Sequence, residues 1–373
     1  MRIAIVSDGF LSNNRLRSST PVLVDNLRHE LEKRNNKILI YTPLGQLVYD
    51  EKYKIDINNE GGMLDYFSSI KKISRLKPDI IHVHGDIAIT YLVKLWKLRT
   101  SIPIVTTITR NAANAGSLSL SPVFSIGPSY DCQKPWFDYL KKKIISSLDH
   151  IIVMNQFMKS VVNINEKKIS VIKYGIRRDW EIPDKITSNT SNKIFYWGDG
   201  SIKRGYHLFL NAAKIVKKVK PEVQFISAIR GLDPTINKHI GSQNTEEYLT
   251  NVIYKKLNSE EMIKELLQSK IVVLPFLSNS MEPPLTILES MYLRKPVITT
   301  RIGGNTELIK NNVTGLFINS NSKDLAKTIL NKIDNNNELE KIGVNAQKFI
   351  IENYDWDKCV KEIIKIYEIL VRR

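Results

Sequence analysis

The side chains best suited to chemistry cluster between Pro275 and Leu316, PFLSNSMEPPLTILESMYLRKPVITTRIGGNTELIKNNVTGL. The apolar run Ile271–Leu274 before them reads as a buried strand. It leads into a loop, Phe276 to Met281, and then a short helix near Pro284, since proline suits the first helical position. Leu285, Leu288 and Met291 with Tyr292 share one stripe of that helix, while Thr286 and Glu289 lie three apart on another side. Arg294 and Lys295 favour its C-terminus and Pro296 stops it. A second strand, Val297–Thr300, a Gly303-Gly304 turn and a helix start at Thr306-Glu307 follow. Helix N-termini present free N–H groups and a positive dipole end, so two of them on one sheet edge make a cradle for a diphosphate. Upstream, Gly198-Asp199-Gly200-Ser201-Ile202-Lys203-Arg204-Gly205 joins a strand to a helix. This glycine loop is a further phosphate candidate, although the Gly-x-Gly-x-x-Gly spacing is absent. Arg204 offers a planar fork to phosphate oxygens, with Lys203 beside it.

Candidates in the first half are more scattered. His82 and His84 alternate onto one face of a strand, but no third ligand has a matching spacing, so no metal is expected there. Ser19 or Thr20 can cap a helix beginning at Pro21. With Arg15, Arg17 and Ser18 nearby, that loop is either an anion site or an ordinary cap with solvated arginines. Arg110 is available to an anionic group at the end of Thr106–Thr109.

The elements that must position these residues alternate. Ile3–Ser7, Ile38–Thr42, Ile80–His84, Ile102–Ile108 and Ile151–Met154 read as strands, with helical patterns at Val22–Arg34, Met63–Leu76 and Ile87–Leu98. This order predicts an α/β fold with parallel, doubly wound sheets that bind ligands at the carboxyl ends of their strands. Arg177–Asn192, polar and Ser/Asn/Thr-rich, reads as a linker, giving domains over 1–180 and 190–355. The helix over 356–373 is expected to pack back on the first. A long polar loop from Arg110 to about Lys134 is expected to shape an acceptor site. The basic helix Trp136–Leu148 has two readings, a contact with an anionic membrane surface or a surface helix packing Leu140, Ile144 and Leu148 inward.

Composition sets outer limits. The chain has 373 residues and a formal net charge of +17, with the excess leaning to residues 1–180. Such a balance suits phosphate-bearing substrates, anionic lipid or nucleic acid without choosing among them. No apolar run approaches the ~18 residues of a membrane span. The N-terminal run enters a strand without a signal-peptide layout, and Cys132 and Cys359 form no metal or redox spacing. A cytoplasmic location follows as the expectation, with peripheral attachment to the membrane's cytoplasmic face as the variant.

Glu289-Ser290-Met291, Pro296-Val297-Ile298 and Gly303-Gly304-Asn305-Thr306-Glu307 resemble the donor-site signature of the family-four retaining glycosyltransferases. Ser170–Ile176 is similar to that family's last strand before the linker, and Tyr254–Phe276 to its base-side run. The resemblance implies a GT-B fold, two Rossmann-like domains facing a cleft, and transfer of a hexose from a UDP- or GDP-sugar with retention and without metal or other cofactor. It implies that Glu289 holds the ribose, Glu282 addresses the donor sugar, and Arg204, Lys203 and the amides of Leu285 and Thr286 hold the diphosphate. Gly198, Gly303 and Gly304 would let the backbone approach the donor, and the backbone near Leu257 would meet the base. His84 would touch substrate, and Ser18, Ser19, Thr109 and Arg110 would lie on the acceptor side. Four departures stand out. Glu282 precedes Glu289 by seven positions instead of eight, which puts Met281 in the usual place; Asp199 replaces an arginine; Thr109 replaces a histidine; and the loop after the first strand lacks a glycine pair. The acceptor, whether glycan, lipid-linked or protein, is open, and nucleic acid is not expected as a partner. Two other readings stay open, a non-catalytic carbohydrate- or nucleic-acid-binding protein on a decayed scaffold and a sugar-nucleotide epimerase.

Overall fold

Short β-branched runs separated by amphipathic helices build two sheets, each in its own unit. The computed structural model describes residues 1–7, 19–41, 47–50, 76–85, 101–108, 148–162, 166–176, 191–240, 251–278 and 283–372. One unit takes in Met1–Arg177 and Tyr354–Arg373, the other Arg178–Asn279 and Pro283–Asn353.

The strands of the first unit are β1 (Arg2–Ser7), β2 (Lys37–Tyr41), β3 (Leu47–Asp50), β4 (Ile80–Gly85), β5 (Ile104–Ile108), β6 (His150–Val153) and β7 (Ile169–Val171). Their order in the sheet is β3-β2-β1-β4-β5-β6-β7, and all pairs are parallel except β2 with β3. Strands covered on both faces need apolar residues at every position, and Ile3, Ala4, Ile5 and Val6 are all fully buried. Helix α1 (Ser19–Glu32) starts two residues before the expected Pro21, and α2 (Gln156–Val162) follows β6. The antiparallel edge strand β3 was not expected from the sequence pattern.

In the second unit the strands are β8 (Lys193–Gly200), β9 (Gln224–Leu232), β10 (Ile253–Tyr254), β11 (Ile271–Leu274), β12 (Val297–Thr300) and β13 (Leu316–Ile318), ordered β10-β9-β8-β11-β12-β13 and all parallel. Its helices are α3 (Tyr206–Val219), α4 (Ile236–Ile240), α5 (Ser259–Gln268), α6 (Leu285–Tyr292), α7 (Asn305–Leu308), α8 (Ser322–Lys332) and α9 (Asn336–Asn353). The core lies between sheet and helices and includes Tyr196, Phe209, Phe225, Val273 and Ile329.

Several local expectations shift by a residue, each for a backbone reason. The cap of α5, which starts at Ser259, is Asn258. The Asn258 side chain accepts from Glu261 N, and the Glu261 side chain accepts from Asn258 N, a full capping box. Pro284 is the N-cap of α6 and not its first residue, and its carbonyl accepts from Ile287 N and Leu288 N. Buried apolar positions on α6 are Ile287, Leu288 and Met291, with Glu289 and Ser290 also buried, while Leu285 is half-buried. Its C-terminus closes with Arg294 N donating to Met291 O and Lys295 N to Ser290 O, with Arg294 in the left-handed region at φ 57°. Lys295 serves another helix. Its buried ammonium donates to Leu267 O, in the last turn of α5, at 2.7 Å.

The C-terminal helix α10 (Trp356–Val371) counts with the first unit. Asp355 caps it, and Trp356, Cys359, Val360, Ile363, Tyr367 and Leu370 form its buried stripe at helical spacing. Among the described residues no helix is long and apolar enough to cross a membrane.

Candidate functional site

The carboxyl ends of β8, β11 and β12 carry most of the residues singled out from the sequence. β8 does not stop at Trp197, as expected, but runs to Gly200. Its pairing with β9 is irregular between Gly198 and Gly200, with Gly198 at φ 127°. Asp199 thus sits in a bulge, and its carbonyl accepts from the Tyr196 hydroxyl at 2.6 Å. The loop proper is Ser201–Gly205, which two tight contacts tie to the loop after β11. Gly205 has φ 71°, and a Cβ there would lie 1.8 Å from Pro275 O. The carbonyl of Lys203 accepts from Leu277 N at 2.9 Å and Ser278 N at 3.2 Å. Only glycine permits this approach. Gly205 thereby fixes where Arg204 can be, and the Arg204 guanidinium lies over the Phe276 ring at 4.9 Å. Lys203 is exposed beside it.

Helix α6 is placed by the neighbouring strand. Trp197 Nε1 donates to Ser290 Oγ at 3.2 Å, and Ser290 Oγ donates to Thr286 O at 2.6 Å. A Cβ at Gly198 would stand 3.8 Å from the Thr286 methyl, so the end of β8 faces the first turn of α6. No side chain caps α6, and the Thr286 hydroxyl oxygen is buried without a hydrogen-bond partner among the described residues. Glu289, on the same helix, is buried. Helix N-termini without side-chain caps leave N–H groups for an anion.

The second expected anion end is weaker than supposed. The helix after Gly303-Gly304 starts at Asn305, not Thr306, and is one turn long. So short a run carries little dipole. Gly303 has φ 47°, and Asn305 Nδ2 reaches Thr299 Oγ1 and Thr300 O, each at 3.3 Å. The turn is therefore held from beneath by β12. On the far side of the sheet, Leu257 lies half-buried between β10 and α5, following Lys255, whose N–H donates to Ser227 O.

In the first unit, His84 is the last residue but one of β4 and pairs in register with Ser7 and Thr107. It is fully buried, and neither ring nitrogen has a hydrogen-bond partner among the described residues. Burial pushes its pKa down to about 3, so the ring is neutral. His82 is also buried, with Nδ1 2.5 Å from the Tyr367 hydroxyl and Nε2 2.7 Å from Thr107 Oγ1. Burial and then the neighbouring His84 hold its pKa well below the ordinary value. Both nitrogens of His82 are thus committed to protein groups. Among the described residues no cluster of three or more His, Cys, Asp or Glu could hold a metal.

Arg204, Lys203, Gly198, Leu285, Thr286, Glu289, Leu257, Gly303 and Gly304 all lie near the carboxyl ends of the strands of the second sheet or on the elements flanking them. The sequence reading passed over Phe276, Trp197 and Ser290, which brace Arg204 and α6, and Thr107, Tyr174 and Tyr367 around His82. Their only signal was aromatic or hydroxyl residues near strand ends. Glu282, Met281, Ser18, Thr109, Arg110 and the Trp136–Leu148 helix lie outside the described residues, apart from Leu148 itself, which is buried; of Ser19 only the backbone is described, opening α1.

Two Rossmann-like units in one chain, the second with a cation loop and an uncapped helix at its strand ends, make this a GT-B glycosyltransferase by architecture. The comparisons agree. The family model Glycosyltransferase Family 4 matches residues 21–180, and Glycosyl transferases group 1 matches residues 178–349. An uncharacterised glycosyltransferase of Methanocaldococcus jannaschii is 28% identical over 302 residues, covering 78% of this chain and 75% of that one. Among solved structures, a sucrose-phosphate synthase from Thermosynechococcus elongatus superposes with a TM-score of 0.74 at 14% identity, covering 99% and 98% of the two chains. Anabaena HepE in complex with UDP-glucose gives 0.71 at 15% identity, covering 98% of each. The chain belongs to the family-four, group 1 glycosyltransferases of the GT-B fold.

Proposed function

We propose that this glycosyltransferase takes its sugar from a UDP- or GDP-sugar, releases the nucleoside diphosphate at the strand ends of the second unit, and retains the configuration of the transferred hexose. The observation that carries this is the closure of Gly205 onto Pro275, which holds the Arg204 guanidinium over Phe276 beside the strand that faces the first turn of α6. A diphosphate there meets a planar cation, an exposed ammonium at Lys203 and the N–H groups of Leu285 and Thr286. In the ground state these groups bind the donor. As the glycosidic bond breaks, negative charge grows on the leaving oxygen, and preorganised donors stabilise that charge without rearranging. These groups meet the diphosphate charge without a metal ion. Glu289 accepts hydrogen bonds from the ribose hydroxyls, the backbone at Leu257 meets the base edge, and Glu282 addresses the donor sugar. His84 contributes neutral imidazole nitrogens to a substrate hydroxyl. HepE, of similar fold, was crystallised with UDP-glucose, which supports a nucleotide-sugar donor for this chain.

The test is calorimetric titration with UDP-, GDP- and other nucleotide sugars, followed by slow hydrolysis and chelator treatment. One nucleotide sugar should bind, with binding weakened by Glu289→Ala, turnover lowered by Glu282→Ala and hydrolysis indifferent to chelator. The early hydrolysis product should keep the donor's anomeric configuration. A folded protein that binds no nucleotide sugar would overturn the reading.

A further inference from the structure

We propose that Tyr367, on the C-terminal helix, is a positioning residue for the strand-end imidazole of His84 and acts on it through His82. The inference rests on the reading of His84 as a substrate contact.

The argument starts from protons. His82 is fully buried and neutral, so its ring owns one N–H and one lone-pair nitrogen. The Tyr367 hydroxyl lies 2.5 Å from Nδ1, and Thr107 Oγ1 lies 2.7 Å from Nε2. Thr107 Oγ1 is also 2.9 Å from the Tyr174 hydroxyl and has one proton to give. The hydroxyl protons of the chain therefore run one way or the other, from Tyr367 toward Tyr174 or the reverse. In either direction one nitrogen of His82 donates and the other accepts. The ring cannot flip without breaking two buried hydrogen bonds together, and unmet buried polar groups are costly.

His84 is the opposite case. Its two nitrogens are as deeply buried but have no partner among the described residues, so no hydrogen bond among them orients the ring. Contacts with its neighbours do. The His82 ring centroid is 4.2 Å away and the Tyr174 centroid 5.8 Å away, and both rings belong to the network just described. Locking His82 and Tyr174 therefore limits how the His84 ring can turn, and its two nitrogens, unpartnered among the described residues, are left for a ligand hydroxyl. Tyr367 reaches this network from a helix whose Trp356 donates to Ile176 O at 2.7 Å and whose first ring lies 5.5 Å from Tyr174. The C-terminal helix thus holds both ends of the arrangement, the ring of His82 and the segment carrying Tyr174.

Tyr367→Phe removes one hydroxyl and leaves His82 Nδ1 without its partner. The full chain, labelled with nitrogen-15 histidine, reports the tautomers of His82 and His84 by long-range correlation spectra, assigned with His82→Gln and His84→Gln. Tyr367→Phe is expected to shift the ring nitrogens of both histidines. With UDP-glucose as the probe, it should lower kcat about tenfold or more, as misplacement of a substrate-facing group does, with KM for the donor unchanged. Thr107→Val should do the same and Thr107→Ser should restore wild-type behaviour, which separates a hydroxyl effect from loss of packing. Ile363→Val, on the buried face of the same helix, should change neither spectrum nor kcat. Unchanged His84 nitrogens in Tyr367→Phe and Thr107→Val, or an equal change in Ile363→Val, would overturn the proposal. If wild type neither binds nor turns over UDP-glucose, the donor reading loses that substrate, while the nitrogen shifts still decide the coupling.

Discussion

Replacing Gly205 by alanine puts the bracing of the cation loop to the most direct test. The added Cβ would lie 1.8 Å from Pro275 O and 2.7 Å from Pro275 C, both backbone atoms that cannot turn away, and the backbone φ of 71° is itself unfavourable for alanine. The left-handed conformation costs roughly 1–2 kcal/mol for a residue with a Cβ. Relieving the clash requires the Ser201–Gly205 loop and the Pro275–Ser278 segment to separate, which breaks the bonds from Leu277 N and Ser278 N to Lys203 O. At about 1 kcal/mol each for two such bonds, the total comes to roughly 3–4 kcal/mol, before any rearrangement of Arg204 over Phe276. Denaturant unfolding should show a loss of that order, and UDP-glucose titration should show donor binding weakened beyond what the unfolded fraction explains. Gly231→Ala is the control, because a Cβ there meets nothing within 4 Å. If Gly205→Ala unfolds and binds donor like Gly231→Ala, the loop is not braced as described and Arg204 has no fixed position.

Three further outcomes follow from buried groups. Lys295 has its pKa lowered to about 8 from 10.5 by burial, so between those values the unfolded chain holds a proton that the folded one has shed. Stability should therefore rise with pH across that window by up to about 3 kcal/mol, and Lys295→Met should remove the rise in pH-dependent urea unfolding. His84, with a folded pKa of about 3 against the ordinary 6.5, works in the acid range. Below pH 6.5 the unfolded chain takes up a proton that the folded chain refuses, so stability should fall by about 2 kcal/mol by pH 5 on this group's account. His84→Leu should flatten that limb; an unchanged slope would place the acid sensitivity elsewhere. Gly343→Ala would set a Cβ 2.1 Å from Arg294 O, where α9 crosses the end of α6. A melting-temperature drop of several degrees is expected, and an unchanged melting temperature would contradict the packing.

The alternation of β-branched runs with amphipathic segments was enough to place β1, β2, β4, β5, β6, β11 and β12, because parallel strands covered on both faces must be apolar throughout. β3 was missed, since a short antiparallel edge strand need not follow that rule. β10, two exposed residues paired parallel to β9, and the three-residue β13 were missed because runs so short show no periodicity. Of the candidate site, the Gly-Gly turn, Glu289 and Arg204 were legible because glycines, a carboxylate and a cation at strand ends have few other uses. The helix ends were less legible. Pro284 was read as a first residue by propensity, whereas its observed place as the cap depends on its carbonyl reaching the free N–H groups of Ile287 and Leu288.

By itself the sequence determined the fold class, the division into two α/β halves and the cluster of anion-binding residue types in the second, because periodicity and residue chemistry are local properties. Only the tertiary structure decided that Gly205 closes on Pro275, that Arg204 lies over Phe276, and that His82 is bonded to Tyr367, 285 residues away along the chain. It also showed His84 to be a buried, neutral imidazole whose nitrogens have no hydrogen-bond partner among the described residues. Burial and hydrogen-bond pairing arise between segments that no spacing rule connects, and they decide which histidine is committed to protein partners.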